Sequence, residues 1–192
     1  MSGAASPGPP VLETARLRLR PFHPSDAEAV RLLAGEYEVA RYVLSLPHPY
    51  EAGMARAWIA AQPEEYARGR SVIFAVTLRE AGTLLGSIGL CYLEHHRAEL
   101  DYWLGRAHWG QGFCTEAGRT VLRYGFEELG LNRIFARYFS ENQASGGVLC
   151  KLGFRREGTL RRHVERFGEF HDLEVCGLLR EEYAEKRAQL PG

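Results

Sequence analysis

Apolar and charged residues alternate at Leu17-Arg18-Leu19-Arg20, and a period of two predicts a strand with one buried face. Pro21 closes it. Pro24-Ser25-Asp26 reads as a helix start, with Ser25 or Asp26 at the cap and Ala27, Val30, Leu32 and Leu33 as the apolar positions that follow. A second helix is expected from Glu51 to Ala67, with Met54, Trp58 and Ile59 on one side and Pro63 as a point of breakage or restart. The period then returns to two. Ser71 to Leu78 carries Val72, Ile73, Phe74 and Val76, a turn follows at Ala81-Gly82, and Thr83 to Tyr92 and Glu99 to Leu104 form the next runs. Short links between successive strands predict an antiparallel meander. Phe113 to Leu129 is helical, with Phe113, Ala117, Val121, Leu122, Phe126 and Leu129 on a wide apolar face and Gly130 as its stop. Ile134 to Phe139, Phe154 to His163 and Leu173 to Leu179 read as strands, and Ser145 to Leu152 as a short helix.

The sum is an α/β (α+β) fold: a mixed, mostly antiparallel sheet of about seven strands flanked by about four to five helices. Met1 to Pro10 is rich in small residues, Gly and Pro, and is expected to be a flexible leader. Residues 11–192 then form a single domain. The tail from Glu181 is expected to begin helical and fray at Pro191.

Composition narrows the function. The chain has 192 residues, and Lys plus Arg equals Asp plus Glu at 24 each. Bulk charge therefore gives no case for nucleic acid or an anionic membrane. No apolar run reaches membrane-span length, and the N-terminus lacks a signal-peptide layout, so the cytoplasm is the expected compartment. Cys91, Cys114, Cys150 and Cys176 form no C-x-x-C pair and no zinc-like spacing with histidine, which predicts reduced thiols and no metal.

Chemistry concentrates at Trp109-Gly110-Gln111-Gly112-Phe113-Cys114-Thr115-Glu116-Ala117, which follows a strand and opens a helix. Two glycines let the backbone turn sharply near a ligand. The first helical N–H groups lack internal partners and sit at the positive end of the dipole, a site for phosphate. No Gly-Lys-Ser/Thr is present, which disfavours a P-loop. A dinucleotide loop would place a third glycine where Thr115 stands and an acid after the next strand, which instead ends Arg137-Tyr138-Phe139-Ser140. A helix cap without a ligand explains the loop equally well on its own.

Ser140-Glu141-Asn142-Gln143-Ala144-Ser145 and Lys151-Leu152-Gly153-Phe154 follow. With the loop, they resemble the GNAT superfamily of acetyl-coenzyme A-dependent N-acetyltransferases. The resemblance runs from Leu12 through Phe22, Tyr102-Trp103-Leu104, Leu129 to Ile134 and Glu157 to Arg161, with Asp172 downstream. Their order is similar to the branch that acetylates the N-terminal alanine or serine of ribosomal proteins. The resemblance implies acetyl-CoA as co-substrate, transfer to a primary amine by direct attack on the thioester, and a protein N-terminus, ribosomal or other, as acceptor. It implies cofactor contacts from Trp103, Leu104, Gln111, Gly112, Phe113, Cys114, Thr115, Asn142, Ser145 and Lys151. Three positions depart from the superfamily pattern: Trp109 and Cys114 in the loop, and Leu149 where many relatives carry an acid tyrosine.

Acetyl transfer needs a neutral amine, donors for the oxyanion and a path for protons. Backbone N–H groups of Leu100 to Leu104 are the expected oxyanion donors. Glu99 is the candidate base, against the alternative of an exposed strand glutamate. Ser145 is the candidate acid, against a helix N-cap. Asn142 either touches the cofactor or closes an Asx-turn. Trp58, Tyr102 and Asp172 are candidate acceptor contacts; aromatic residues at such spacing also build cores, and Asp172 also suits a hairpin turn. His95 and His96 read as solvated loop residues. Small-molecule amines (polyamine, aminoglycoside or amino-acid-like) and a non-catalytic CoA-binding sensor are the competing functions. Oligomeric state stays open, a homodimer included.

Overall fold

The computed structural model describes residues 8–189, so the leader assigned to 1–10 lies mostly, and the tail beyond 189 wholly, outside the described residues. The strands are β1 (Leu12–Glu13), β2 (Leu17–Arg20), β3 (Val72–Leu78), β4 (Leu84–Glu94), β5 (Arg97–Leu104), β6 (Arg133–Phe139), β7 (Arg155–Arg166) and β8 (Glu169–Leu179). The helices are α1 (Ala27–Gly35), α2 (Tyr37–Ala40), α3 (Met54–Ala67), α4 (Phe113–Arg123), α5 (Gln143–Leu152) and α6 (Arg180–Gln189). One sheet holds all the described strands in the order β1-β2-β3-β4-β5-β6-β8-β7. Every neighbouring pair is antiparallel except β5 and β6. That parallel pair follows from the α4 crossover, which returns the chain in the same direction.

Helices cover both faces. Alternation along a strand sends Val72, Phe74 and Val76 of β3, and Leu100 and Leu104 of β5, into the larger core under α4 and α5. Ala75 and Trp103 point the other way, into a second core built with α1, α2 and α3. The site lies where these two layers meet across β5. No described helix is long and apolar enough to cross a membrane.

Several sequence expectations shift. The extra strand is β1, whose two residues pair Leu12 with Leu19 and are too short to show a period. The apolar face of α1 is Ala27, Val30 and Ala34, with Leu33 partly buried, whereas Leu32 is 56% exposed because it falls off the 3.6-residue stripe. Helix α3 continues through Pro63 without a break. The central helix is α-helical only to Arg123; a π-turn over Tyr124–Glu128 follows and keeps both Tyr124 and Phe126 buried. The last hairpin turns at Phe167-Gly168, with φ of 52° and 80°, so Asp172 lies inside β8 rather than in a turn. Its strands carry so many Arg, His and Glu side chains that no apolar alternation marks their length.

Candidate active site

Strand β5 organises the site by having two faces. Tyr102 packs toward α4 and α5. Alternation puts Glu99, Asp101 and Trp103 on the α1–α3 side. Parallel pairing with β6 covers only Arg97↔Arg133, Ala98↔Ile134 and Glu99↔Phe135. Past that point the strands separate, and the β6-facing edge of β5 is open from Leu100 to Leu104. A cavity of about 1790 Å³ fills the gap and reaches both helical layers, from Thr115 and Ser145 on one side to Tyr42 and Trp58 on the other.

On the α4 side the cavity ends at an uncapped helix start. Gly110 and Gly112 have φ of 73° and 79°, a left-handed turn that costs glycine nothing. No side chain caps α4, so the N–H groups of Phe113, Cys114 and Thr115 stay available to an anion. The loop is held from outside. Trp109 donates its indole N–H to the Leu104 carbonyl at 2.8 Å, and Gln111 donates its amide to the Ala107 carbonyl at 3.0 Å. Glu116 accepts from the Thr14 hydroxyl at 2.5 Å and from Arg16 at 2.6 Å, which pins the β1–β2 turn onto the start of α4. Burial pushes the Cys114 thiol up to about 12, so it is a neutral wall rather than a nucleophile.

Helix α5 supplies the second set of groups. Asn142 is its N-cap, accepting from the Ser145 backbone N–H at 3.2 Å. Capping therefore falls to Asn142, and the Ser145 hydroxyl is free to meet the Tyr102 hydroxyl at 2.7 Å. Burial holds the Tyr102 phenol well above its ordinary value, so it keeps its proton at neutral pH. Leu149 is 1% exposed and belongs to the core. Lys151 sits in the last turn of α5 and lines the cavity rim.

On the acceptor side Trp58 packs edge-on against Phe22 at 4.8 Å and faces the cavity, as does Trp103. The segment between α2 and α3 brings Tyr42, Leu46 and Tyr50. Arg166 of β7 ties that segment down by donating to the carbonyls of Ala40, at 2.7 Å, and Leu46. Glu99 is 9% exposed and held bidentate by Arg137, at 2.8 and 2.7 Å. It is neither an exposed strand residue nor an unpartnered carboxylate.

Glu99, Trp58, Tyr102, Trp103, Leu104, Gly112, Phe113, Cys114, Thr115, Asn142, Ser145 and Lys151 thus meet at one cavity. The Gln111 side chain does not, being spent on Ala107. Asp172 is also outside; its carboxylate accepts from the Arg162 N–H at 2.7 Å and shapes a bulge in the last hairpin. Arg137 and Asp101 are cavity residues that the sequence argument passed over. The signal was present, because position 101 shares the face of position 99 in any strand. Among the described residues, no three His, Cys, Asp or Glu side chains converge as a metal site.

The architecture and the site carry a known pattern. Residues 16–155 match the acetyltransferase (GNAT) domain family. The chain belongs to the GNAT acetyltransferases. An uncharacterised N-acetyltransferase of Bacillus subtilis (strain 168), YoaA, is 36% identical over 173 residues, 89% of this chain and 97% of its own. The ribosomal protein uS5 alanine N-acetyltransferase of Escherichia coli (strain K12) is 27% identical over 177 residues, 87% of this chain and 89% of its own. Among solved structures, the ribosomal L7/L12 α-N-protein acetyltransferase RimL in complex with coenzyme A superposes with a TM-score of 0.82. It is 17% identical, covers 88% of this chain and 98% of its own, and shares the fold. This GNAT enzyme is an acetyl-CoA-dependent N-acetyltransferase, and its uncapped α4 start, glycine turn and open β5 edge suit that co-substrate.

Proposed function

We propose that this acetyltransferase modifies the N-terminal α-amine of a polypeptide, with a ribosomal protein as the leading class of acceptor. The observation that carries the reading is the size and continuity of the cavity. About 1790 Å³ exceeds the roughly 300–1,000 Å³ of a small-ligand pocket and leaves room for an extended chain beside the co-substrate. The acidic groups support the same choice. Glu38 pairs with Arg41 at 3.5 Å, Glu65 with Arg70 at 3.4 Å, Glu94 with Arg97 at 2.6 Å and Glu99 with Arg137 at 2.7 Å. Glu141 is bonded by His171 at 2.6 Å. A polyamine needs several carboxylates facing it at once; here Asp101 is the cavity carboxylate without an ion-pair partner among the described residues. One amine fits that balance better than several.

The chemistry follows from the two faces of β5. Phosphate groups of the co-substrate are received by the N–H groups of Phe113, Cys114 and Thr115, with Gly112 admitting close approach and Lys151 and Asn142 at the rim. The open edge of β5 from Leu100 to Leu104 offers fixed backbone donors for the thioester oxygen, so charge developing there needs little reorganisation. The amine attacks from the Trp58 side. Its nitrogen forms the new bond to the acetyl carbon and sheds a proton to a carboxylate on the acceptor face. The carbon–sulfur bond breaks, the electron pair goes to sulfur, and the Ser145 hydroxyl, backed by Tyr102, supplies a proton in the role left open by Leu149.

The test is thiol release from acetyl-CoA with peptides beginning Ala or Ser, set against polyamines and aminoglycosides. Release confined to the peptides is the expected result. Release confined to the small amines would overturn the acceptor class, and binding without release on any acceptor would favour a CoA-binding sensor.

A further inference from the structure

The two carboxylates on the acceptor face of β5 are not equivalent, and the difference decides which one can take a proton. Glu99 sits at the last residue paired with β6. Both of its oxygens are engaged by the Arg137 guanidinium, at 2.8 and 2.7 Å. A carboxylate in such a fork has an oxygen lone pair committed to each guanidinium N–H, so neither oxygen is left free to face the acceptor amine. Asp101 stands two residues further on, past the point where β5 and β6 separate. It lines the cavity and forms no ion pair among the described residues. Opposite it on β4 is Gly89, which presents no side chain to cover it. A Cβ at Gly89 would meet the Val72 carbonyl at 2.4 Å and Ile73 at 2.6 Å, so packing also forbids a covering residue there.

We infer that Asp101, rather than Glu99, is the carboxylate that takes the proton from the acceptor amine, and that the Glu99–Arg137 pair positions and tunes it. The inference rests on the acetyl transfer proposed above and holds for any amine acceptor. The proton shed by nitrogen as the carbon–nitrogen bond forms passes to an Asp101 oxygen, directly or through one water, and leaves to solvent after the product departs.

The charges around Asp101 agree with the task. Burial is the largest influence and the neighbouring Glu99 charge adds to it, while the Tyr102 backbone N–H and Arg137 of β6 oppose them; the carboxyl ends at about 6. Cys91, on β4 opposite Glu99, is pushed up to about 12 and stays neutral. Across the cavity, the segment between α2 and α3 presents the phenols of Tyr42 and Tyr50, the latter raised above its ordinary value by burial, and α3 presents Glu65, already paired with Arg70. A base near 6 matches a neutral operating pH far better than an ordinary aspartate does.

The experiment is the pH dependence of kcat/KM for the wild type, Asp101→Asn and Glu99→Gln, followed by thiol release. A free α-amine with a pKa near ~8 gives a slope of one below that pH. The wild type should steepen to two below about 6. Asp101→Asn should lose about 100-fold in rate and lose the steepening. Glu99→Gln should keep the break but move it to lower pH, because a charge that raises Asp101 is gone. Coenzyme A binding by calorimetry should be unchanged in Asp101→Asn, which separates lost chemistry from a lost fold. The reverse pattern, with the break abolished by Glu99→Gln and kept in Asp101→Asn, would overturn the assignment in favour of Glu99. A wild type that turns over no amine would overturn the functional reading and this assignment with it.

Discussion

Asp101→Asn is expected to make the folded protein more stable at neutral pH while it slows the enzyme. The Asp101 carboxyl moves from 3.8 to about 6 on folding. Between those two values the folded state binds more protons than the unfolded chain, so the aspartate removes stability as pH rises through that window. Below it both states are protonated and there is no penalty. Above it the penalty is complete. The shift bounds the penalty at roughly 3 kcal/mol, from about 1.4 kcal/mol per unit. Water in the open cavity screens the charge, so about 1–2 kcal/mol is the working figure. Asparagine keeps the shape and carries no charge, and it should recover that amount above pH 7 and almost nothing at pH 4. Urea unfolding of both proteins at a series of pH values, without acetyl-CoA to bias the folded state, measures the difference directly. A stabilisation that is the same at every pH would refute the electrostatic reasoning, as would a less stable variant at pH 8.

Two further outcomes follow from the geometry. Arg137→Met should cost about 2 kcal/mol, below the 3–5 kcal/mol of a fully buried pair because the Arg137 side chain is 31% exposed. Adding Glu99→Gln to it should restore part of that loss, and a double-mutant cycle by urea unfolding with no recovery would refute the pairing energy. Gly112→Ala should cost about 1 kcal/mol through its φ of 79°. Its new Cβ meets nothing closer than Arg16 at 3.5 Å, so no clash adds to that. Calorimetry should show coenzyme A binding weakened at least ten-fold if the turn presents the N–H groups to phosphate, and unaltered affinity would refute that role.

The sequence carried the meander, the glycine turn and the helix behind it because each has a local cause: period two, positive φ and a wide apolar stripe. It carried the site less evenly. Ser145 and Asn142 were both legible as candidates, but the cap that the sequence offered to Ser145 belongs to Asn142, and only coordinates show it. Asp172 was misplaced because the outer part of the β7–β8 hairpin is largely exposed on both faces, and its turn at Phe167-Gly168 carries no Asn-Gly or Asp-Gly signature. Arg137 could not be assigned at all. Its partner Glu99 is 38 residues away in the chain, and only the parallel register of β5 with β6 brings them side by side. Asp101 needed just the arithmetic of alternation, yet its importance depends on the missing partner strand beside it, which no local pattern reveals.

The short seam between β5 and β6 has a consequence for the life of the protein in the cell. Three residue pairs join the two parts of the sheet, and the Glu99–Arg137 bridge closes the inner end of the opening. A molecule lying in that opening supplies contacts the polypeptide lacks, acting in effect as a removable strand. Resistance to heat and to proteases should then rise with occupancy of the opening by coenzyme A, acetylated or not.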